Sequence, residues 1–308
     1  MKDQAKNYLT KTYAVSLLAT VCCILWGSAF PCIKLGYKWW EISADNTGAQ
    51  ILFAGYRFFL AGIFTVILGS ILQRRILFPQ KSEWVTVMKL SSFQTIIQYF
   101  LFYVGLANTT GVKASIIEAM NVFFAILVAV ICFRQERISA TKMIGCLLGF
   151  IGVVIVNCNG GSFDLTMKWN GEGAILLSAL SYAISSALIK QYAKEHDTVM
   201  LSGYQFMFGG IVLSVLGVLM GGRLQNVTVS GIWMLLYLAL VSAIAYTIWG
   251  ILLKYNPVSK VAVFGFVNPV AGVVLSAWIL QEQSAVNLLT LFALILVCAG
   301  IFIVNRKK

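Results

Sequence analysis

The chain has 308 residues, 59% of them apolar and only 11% charged, with a formal net charge of +12. Water-soluble domains carry about a quarter charged residues, so a soluble protein of this length is excluded. The charges sit in short clusters between apolar runs of about 20 residues, the length that crosses the hydrocarbon of a bilayer.

The expected fold class is an all-α polytopic membrane protein with ten transmembrane helices. In chain order the predicted spans are 13–36, 49–71, 84–107, 111–133, 139–157, 171–190, 198–220, 230–254, 258–280 and 285–304. Lipid leaves backbone groups no outside partner, so spans are helices or closed barrels. Runs of this length without period-two alternation exclude a barrel. Lys2, Lys6 and Lys11 before the first run look like the start of a signal peptide. The run is too long for one and no small-x-small cleavage site follows, so a retained first span is expected.

Lys and Arg set the orientation. With the N-terminus in the cytoplasm, inner segments carry 16 of them and outer segments four, Lys38, Lys113, Lys168 and Arg223. That bias predicts both termini inside a plasma membrane. It also assigns the positive charge to anionic lipid headgroups rather than to nucleic acid, which is not an expected partner.

The chain repeats itself. Gly55–Gly69 reads GYRFFLAGIFTVILG and Gly203–Gly217 reads GYQFMFGGIVLSVLG, with seven of fifteen positions identical and glycines at 55, 62, 69 and 203, 210, 217. Small residues on one face let helices approach closely in lipid. GFIGVVIVN ends the fifth span at Asn157 and CAGIFIVN ends the tenth at Asn305, while Glu136 and Glu282 follow the fourth and ninth. The expected organisation is a cytoplasmic tail over 1–12, a five-span repeat over 13–157, an external connection over 158–170, a second five-span repeat over 171–305 and a tail over 306–308. Five is odd, so the second repeat must insert inverted. Inverted repeats typify secondary transporters, whose site lies near the midplane between the halves.

These residues carry a resemblance. Trp26–Gly27 near the end of the first span, Arg57 early in the second, the run GLANTTGVKASI from Gly105 to Ile116, and Glu136 and Glu282 resemble the EamA family of the drug/metabolite transporter superfamily. The likeness covers about 14–157 and 172–305. It implies a transporter of small organic solutes, often an exporter of amino acids or other metabolites, with a central cavity. One departure stands out. Such families often have Pro in both the fourth and ninth spans, whereas here Phe123 stands opposite Pro269, so a kink is expected to be missing from the first half.

Charge inside hydrocarbon costs about 2.5–3.5 kcal/mol on insertion scales, which makes an ionisable residue within a span a functional candidate. Glu118 lies about seven residues into the fourth span, on one stripe with Ser115 and Asn121. Arg57 lies at a similar depth in the second. The two are expected to share a level, with Glu118 either accepting a proton or holding a substrate ammonium, or the two forming a structural ion pair. Further candidate substrate-binding residues are Trp26, Gln94, Gln98, Tyr182, Ser185, Tyr246, Trp249 and Asn268. Spans 1, 3, 4, 6, 8 and 9 are expected to line the cavity and spans 2, 5, 7 and 10 to be peripheral. The structural alternative for each hydroxyl or amide is an interhelical hydrogen bond, and for each ring, packing. Lys34 is expected to snorkel to the surface.

Other chemistry is absent from the sequence. The one histidine, His196, lies in a loop, and no His or carboxylate cluster in the spans could hold a metal. There is no phosphate loop for ATP, no cofactor is expected, and no catalytic constellation points to an enzyme. Gly145 and Gly149 form one GxxxG that serves either helix packing or a homodimer face. The reading is a secondary transporter of a small organic metabolite or amino acid, an exporter, with Glu118 either accepting a proton or holding a substrate ammonium. A broad-specificity drug exporter and a non-transporting receptor or scaffold are the alternatives.

Overall fold

The computed structural model describes residues 9–132, 139–157, 167–192, 195–225, 227–256, 261, 263–282 and 286–305. They form helices only. These are α1 (Thr12–Trp39), α2 (Thr47–Gln73), α3 (Glu83–Asn108), α4 (Gly111–Glu118 and Met120–Ile131), α5 (Ala140–Asn157), α6 (Trp169–Gly173 and Ala174–Tyr192), α7 (Thr198–Leu219), α8 (Val229–Tyr255), α9 (Val263–Phe266 and Val267–Ile279) and α10 (Leu288–Asn305). Six are long and apolar enough to cross a membrane, and the described parts of α5, α9 and α10 are shorter apolar helices. The expected Glu136 and most of the expected 158–170 connection lie outside the described residues, as does the 306–308 tail.

Helix starts follow from local chemistry, because the first N–H groups of a helix need an acceptor from outside it. Asn46, Thr110 and Thr228 accept from the N–H groups of Ala49, Lys113 and Gly231. Asp197 takes two, from Val199 and Met200, at 3.0 Å each. Asp197 also receives a hydrogen bond from exposed Arg75 at the end of the neighbouring α2. Burial opposes its ionisation, but the hydrogen bonds from Met200, Gln73, Val199 and Arg75 outweigh this and hold the carboxyl below its usual range.

Helices α3, α4, α6 and α9 depart from regular α geometry. Ser92–Ile97 in α3 is a π turn, which inserts a residue and rotates everything after it relative to everything before. Helix α4 is interrupted at Ala119, between Glu118 and Met120, where Ala119 N–H bonds Ile116 O and Val122 N–H bonds Ala119 O at 3.3 Å. The first half, which lacks the proline, thus departs locally from α geometry at Ala119 while Phe123 lies within the regular segment Met120–Ile131. In α9 the corresponding irregularity is a 3₁₀ turn ahead of Pro269.

The closest helix pair is α2 with α7, along the glycine faces. A methyl group added to Gly217 would lie 2.6 Å from Leu52 N, and one added to Gly62 would lie 2.6 Å from Gly203 O, so only hydrogen fits. Thus α2 and α7 are not peripheral. Close backbone approach makes them a seam, and α2 delivers Arg57 and Phe58 to the interior. Helix α5 packs on α10, where Gly300 faces Gly145 O, so the GxxxG glycines serve packing within the chain. Helix α1 packs on α8 and α9, α6 on α3 and α4, α2 on α8, α3 on α7, and the first segment of α4 on α9.

One large cluster of buried side chains includes Phe30, Ile33, Tyr37, Phe53, Phe102, Tyr103, Ile116 and Ile117. Among the described residues, smaller clusters gather around Leu90 and Met200, around Val15 and Leu252, and around Val128 and Ala187.

Candidate functional site

Between the helices, aromatic side chains of α1, α2, α3, α7 and α8 meet. The Trp26 ring of α1 lies 5.5 Å from Tyr246 and 5.1 Å from Trp249, both on α8. The hydroxyls of Tyr246 and Tyr99 on α3 are 3.4 Å apart. Phe58 of α2 lies against Tyr99 at 3.9 Å and against Phe206 of α7 at 5.4 Å, and Phe206 meets Tyr246 edge-on at 4.9 Å. Trp26, Tyr182, Tyr246 and Trp249 are each partly buried.

Glu118 belongs to this site. It is 6% exposed, and both Tyr99 and Tyr182 lie within its electrostatic reach. Its side-chain partner is Asn121, three residues on along α4, while Oε2 has no partner. The break at Ala119 places it at the end of a helical segment, where side-chain direction is set by the join between two short helices. Four other predicted residues hold a buried polar atom without a partner: Trp26 Nε1, Gln94 Oε1, Gln98 Oε1 and Asn268 Oδ1. Gln94 and Gln98 are 2% and 4% exposed. Buried polar atoms are nearly always paired, and an orphan costs about 1–3 kcal/mol. Such atoms also occur on Trp40, Gln50, Ser178, Gln205, Thr247 and Ser276, so of these residues it is the ionisable Glu118 that stands out.

The ion pair expected between Glu118 and Arg57 is not formed. Arg57 is 3% exposed and spends its donors on neutral acceptors. NH1 donates to Tyr103 Oη at 2.8 Å, NH2 to Ser242 Oγ at 3.0 Å and Nε to Leu238 O at 3.2 Å. The guanidinium also lies 4.9 Å from the centre of the Phe58 ring. It ties α2 to α3 and α8 and is sealed behind the rings.

Two predicted serines are spent locally. Ser115 Oγ donates to Val112 O at 2.8 Å, and its Cβ lies against Gly272 of α9. Ser185 Oγ donates to Tyr182 O at 2.7 Å and is fully buried. Tyr99 was not among the sequence candidates although it stands at the centre of the ring cluster. On a regular α-helix Gln94 and Tyr99, five positions apart, do not share a stripe, and the π turn at Ser92–Ile97 changes that register.

The α3–α4 end is clasped by carboxylates. Glu282 accepts from the N–H groups of Gly111 and Val112 at 3.2 and 3.1 Å, and lies 3.8 Å from Lys34 Nζ. Lys34 therefore faces Glu282 and is only partly exposed. Glu172 accepts from Thr109 Oγ1 at 2.7 Å and lies 4.0 Å from Lys113. Both carboxylates join the start of α4 to elements of the second half.

A model of the EamA-like transporter family matches residues 14–158 and again 169–306. An uncharacterized transporter of Archaeoglobus fulgidus is 26% identical over 297 residues, covering 95% of this chain and 97% of that protein. The uncharacterized transporter YvbV of Bacillus subtilis is 26% identical over 304 residues, covering 97% and 94%. A solved crystal structure shares the fold, with a TM-score of 0.66 at 18% identity over 94% of this chain and 96% of that one. The chain belongs to the EamA-like transporter family and is a multi-pass membrane protein.

Proposed function

We propose, with membership of that family as the premise, that the protein is a secondary active transporter. It moves a small organic metabolite outward across the plasma membrane by alternating access, with both termini cytoplasmic. The observation that carries the reading is Glu118, 6% exposed within a span with Oε2 unpartnered, in a chain of a transporter family. Glu118 is the coupling residue, taking up and releasing a proton as the site changes sides.

Inverted repeats supply the two states, because exchanging the roles of two similar halves turns one opening into the other. Three observations support them. The family model matches each half separately. Replacing α1–α5 by α6–α10 and the reverse turns the α1–α8 contact into α6–α3, α1–α9 into α6–α4 and α2–α8 into α7–α3, all of which occur. Arg57 bonds Leu238 O and Ser242 Oγ. Gln205, its counterpart, accepts from Ser91 through its backbone oxygen and from Thr95 through its side chain. Leu238 and Ser242 stand 147 positions after Ser91 and Thr95, so the same contact is built twice with different chemistry.

The Lys and Arg bias places the α3–α4 end outside. On that assignment the Glu172 and Glu282 clasps lie on the outer side. The test is solute flux in proteoliposomes with and without a pH gradient. Saturable, gradient-dependent flux that Glu118→Gln abolishes is the expected result. Ligand binding without flux in either direction would make the protein a receptor.

A further inference from the structure

Gly55, Phe58 and Gly62 of α2 correspond in the repeat to Gly203, Phe206 and Gly210 of α7. A methyl group added to Gly62 would lie 2.6 Å from Gly203 O, and one added to Gly210 would lie 2.8 Å from Gly55 O. These are one contact seen from each half. Phe58 and Phe206, both fully buried, meet beside it at 5.4 Å. The two helices also touch at both ends. At the α3–α4 end, a methyl on Gly48 would lie 2.6 Å from Gly222 N, just beyond α7. At the opposite end, a methyl on Gly69 would lie 3.7 Å from Val199 Cβ.

We propose that α2 and α7 form a fixed axle of the carrier, closed along its length in every state, and that access changes between the other helices. The proposal rests on the inverted-repeat transport reading above and goes beyond it. When two similar halves exchange roles, a contact between a residue and its own counterpart maps onto itself, and reciprocal contacts map onto each other. The α2–α7 seam therefore serves both states without rearrangement. Helices that border the mouth of a solute path must part at that mouth. Helices α2 and α7 are in contact at both ends, and close approach through small residues leaves no passage between them. The rings beside the seam are unequal. Phe58 lies 3.9 Å from Tyr99 with the planes 34° apart, whereas Phe206 lies 4.9 Å from Tyr246 at 89°. Tyr99 and Tyr246 stand 147 positions apart, as Ser91 and Leu238 do. Exchange of the halves swaps these two geometries around an unchanged seam, which puts the movement in α3 and α8.

A disulfide across the seam tests the axle. Gly69→Cys with Val199→Cys sets two Cβ atoms 3.7 Å apart, within the span of about 3.5–4.5 Å that a disulfide bridges. Ser115→Cys in the same chain reports opening between α4 and α9, because Ser115 is 2% exposed and its Cβ lies against Gly272. In the full-length protein in lipid nanodiscs, the pair is expected to oxidise to completion. A polar maleimide, read by mass spectrometry at position 115, is expected to label the oxidised protein within twofold of the rate of the reduced one. Oxidation that stops short of completion overturns the axle, as does slowing beyond twofold that reductant reverses. Hydrogen exchange needs no substitution. Amides of 48–69 and 199–217 are expected to exchange at least threefold more slowly than those of Gly111–Glu118 and Val267–Ile279, and a smaller difference overturns the proposal. The transport reading fails separately. No labelling at position 115 in the reduced protein refutes alternating access, and the extent of oxidation and the exchange rates still decide the axle.

Discussion

Two buried ionisable side chains, Arg57 and Glu118, lie at similar predicted depth and are treated in opposite ways. Arg57 has three neutral acceptors from two other helices and a ring against its face. Glu118 has one neighbour on its own helix and an oxygen with none. The difference teaches that a charge in a membrane protein can be structural or functional at the same depth. What separates the two is whether the protein itself completes the hydrogen bonds. A completed charge holds helices together, and an incomplete one waits for a partner that comes and goes.

The contrast is sharpest in stability. Arg57→Met removes three charge-assisted donors and leaves Tyr103, Ser242 and Leu238 without them, at about 1.5–3 kcal/mol for a hydrogen bond to a charged group. A loss of about 3 kcal/mol or more is expected, seen as a large fall in melting temperature in detergent. A melting temperature close to the wild type would break the comparison, since Arg57 would then not be structural. The α2–α7 seam that positions Arg57 has a smaller effect. Gly217→Leu forces a side chain toward Leu52 N and should cost about 1–3 kcal/mol by overpacking, by the same assay.

Asp197 is a third case, a completed carboxylate outside the spans. Asp197→Ala removes the α7 cap and should cost about 1 kcal/mol at pH 7. Because its carboxyl is held below the usual range, its contribution is full above the unfolded value of about 3.9 and is lost as pH falls through the lower folded value. Melting curves from pH 7 to pH 3 should therefore show the wild type and variant converging only at the acid end. Glu118→Gln has the smallest expected effect on stability, within about 0.5 kcal/mol, because no partner is lost except one bond to Asn121. Its effect on pH-dependent flux should be complete. A variant that is strongly destabilised yet still couples transport to pH would reverse the roles assigned to the two charges.

The spans were legible in the sequence because apolar length is a local property. The predicted 49–71 and 198–220 appear as Thr47–Gln73 and Thr198–Leu219. The glycine spacing announced close packing, and the structure names the partner as the other glycine helix. Glu118, Gln94, Gln98 and Asn268 were legible because an uncompensated polar group in an apolar run is conspicuous. Tyr99 and Phe58 were not, since a ring in a membrane helix is unremarkable until its neighbours are known. The roles of Glu172 and Glu282 were hidden for a related reason: each acts on the start of α4, far away in the chain.

The sequence alone determined the solvent, the polytopic helical class, the duplication and which helices carry polar groups, because transfer to lipid and hydrogen-bond satisfaction within a helix depend on residues a few positions apart. Only the tertiary structure decided which of those groups are satisfied. A hydrogen bond from Arg57 to Ser242 spans 185 positions of chain, and nothing in either local stretch records it. The meaning of a buried charge here is fixed by what the other helices bring to it.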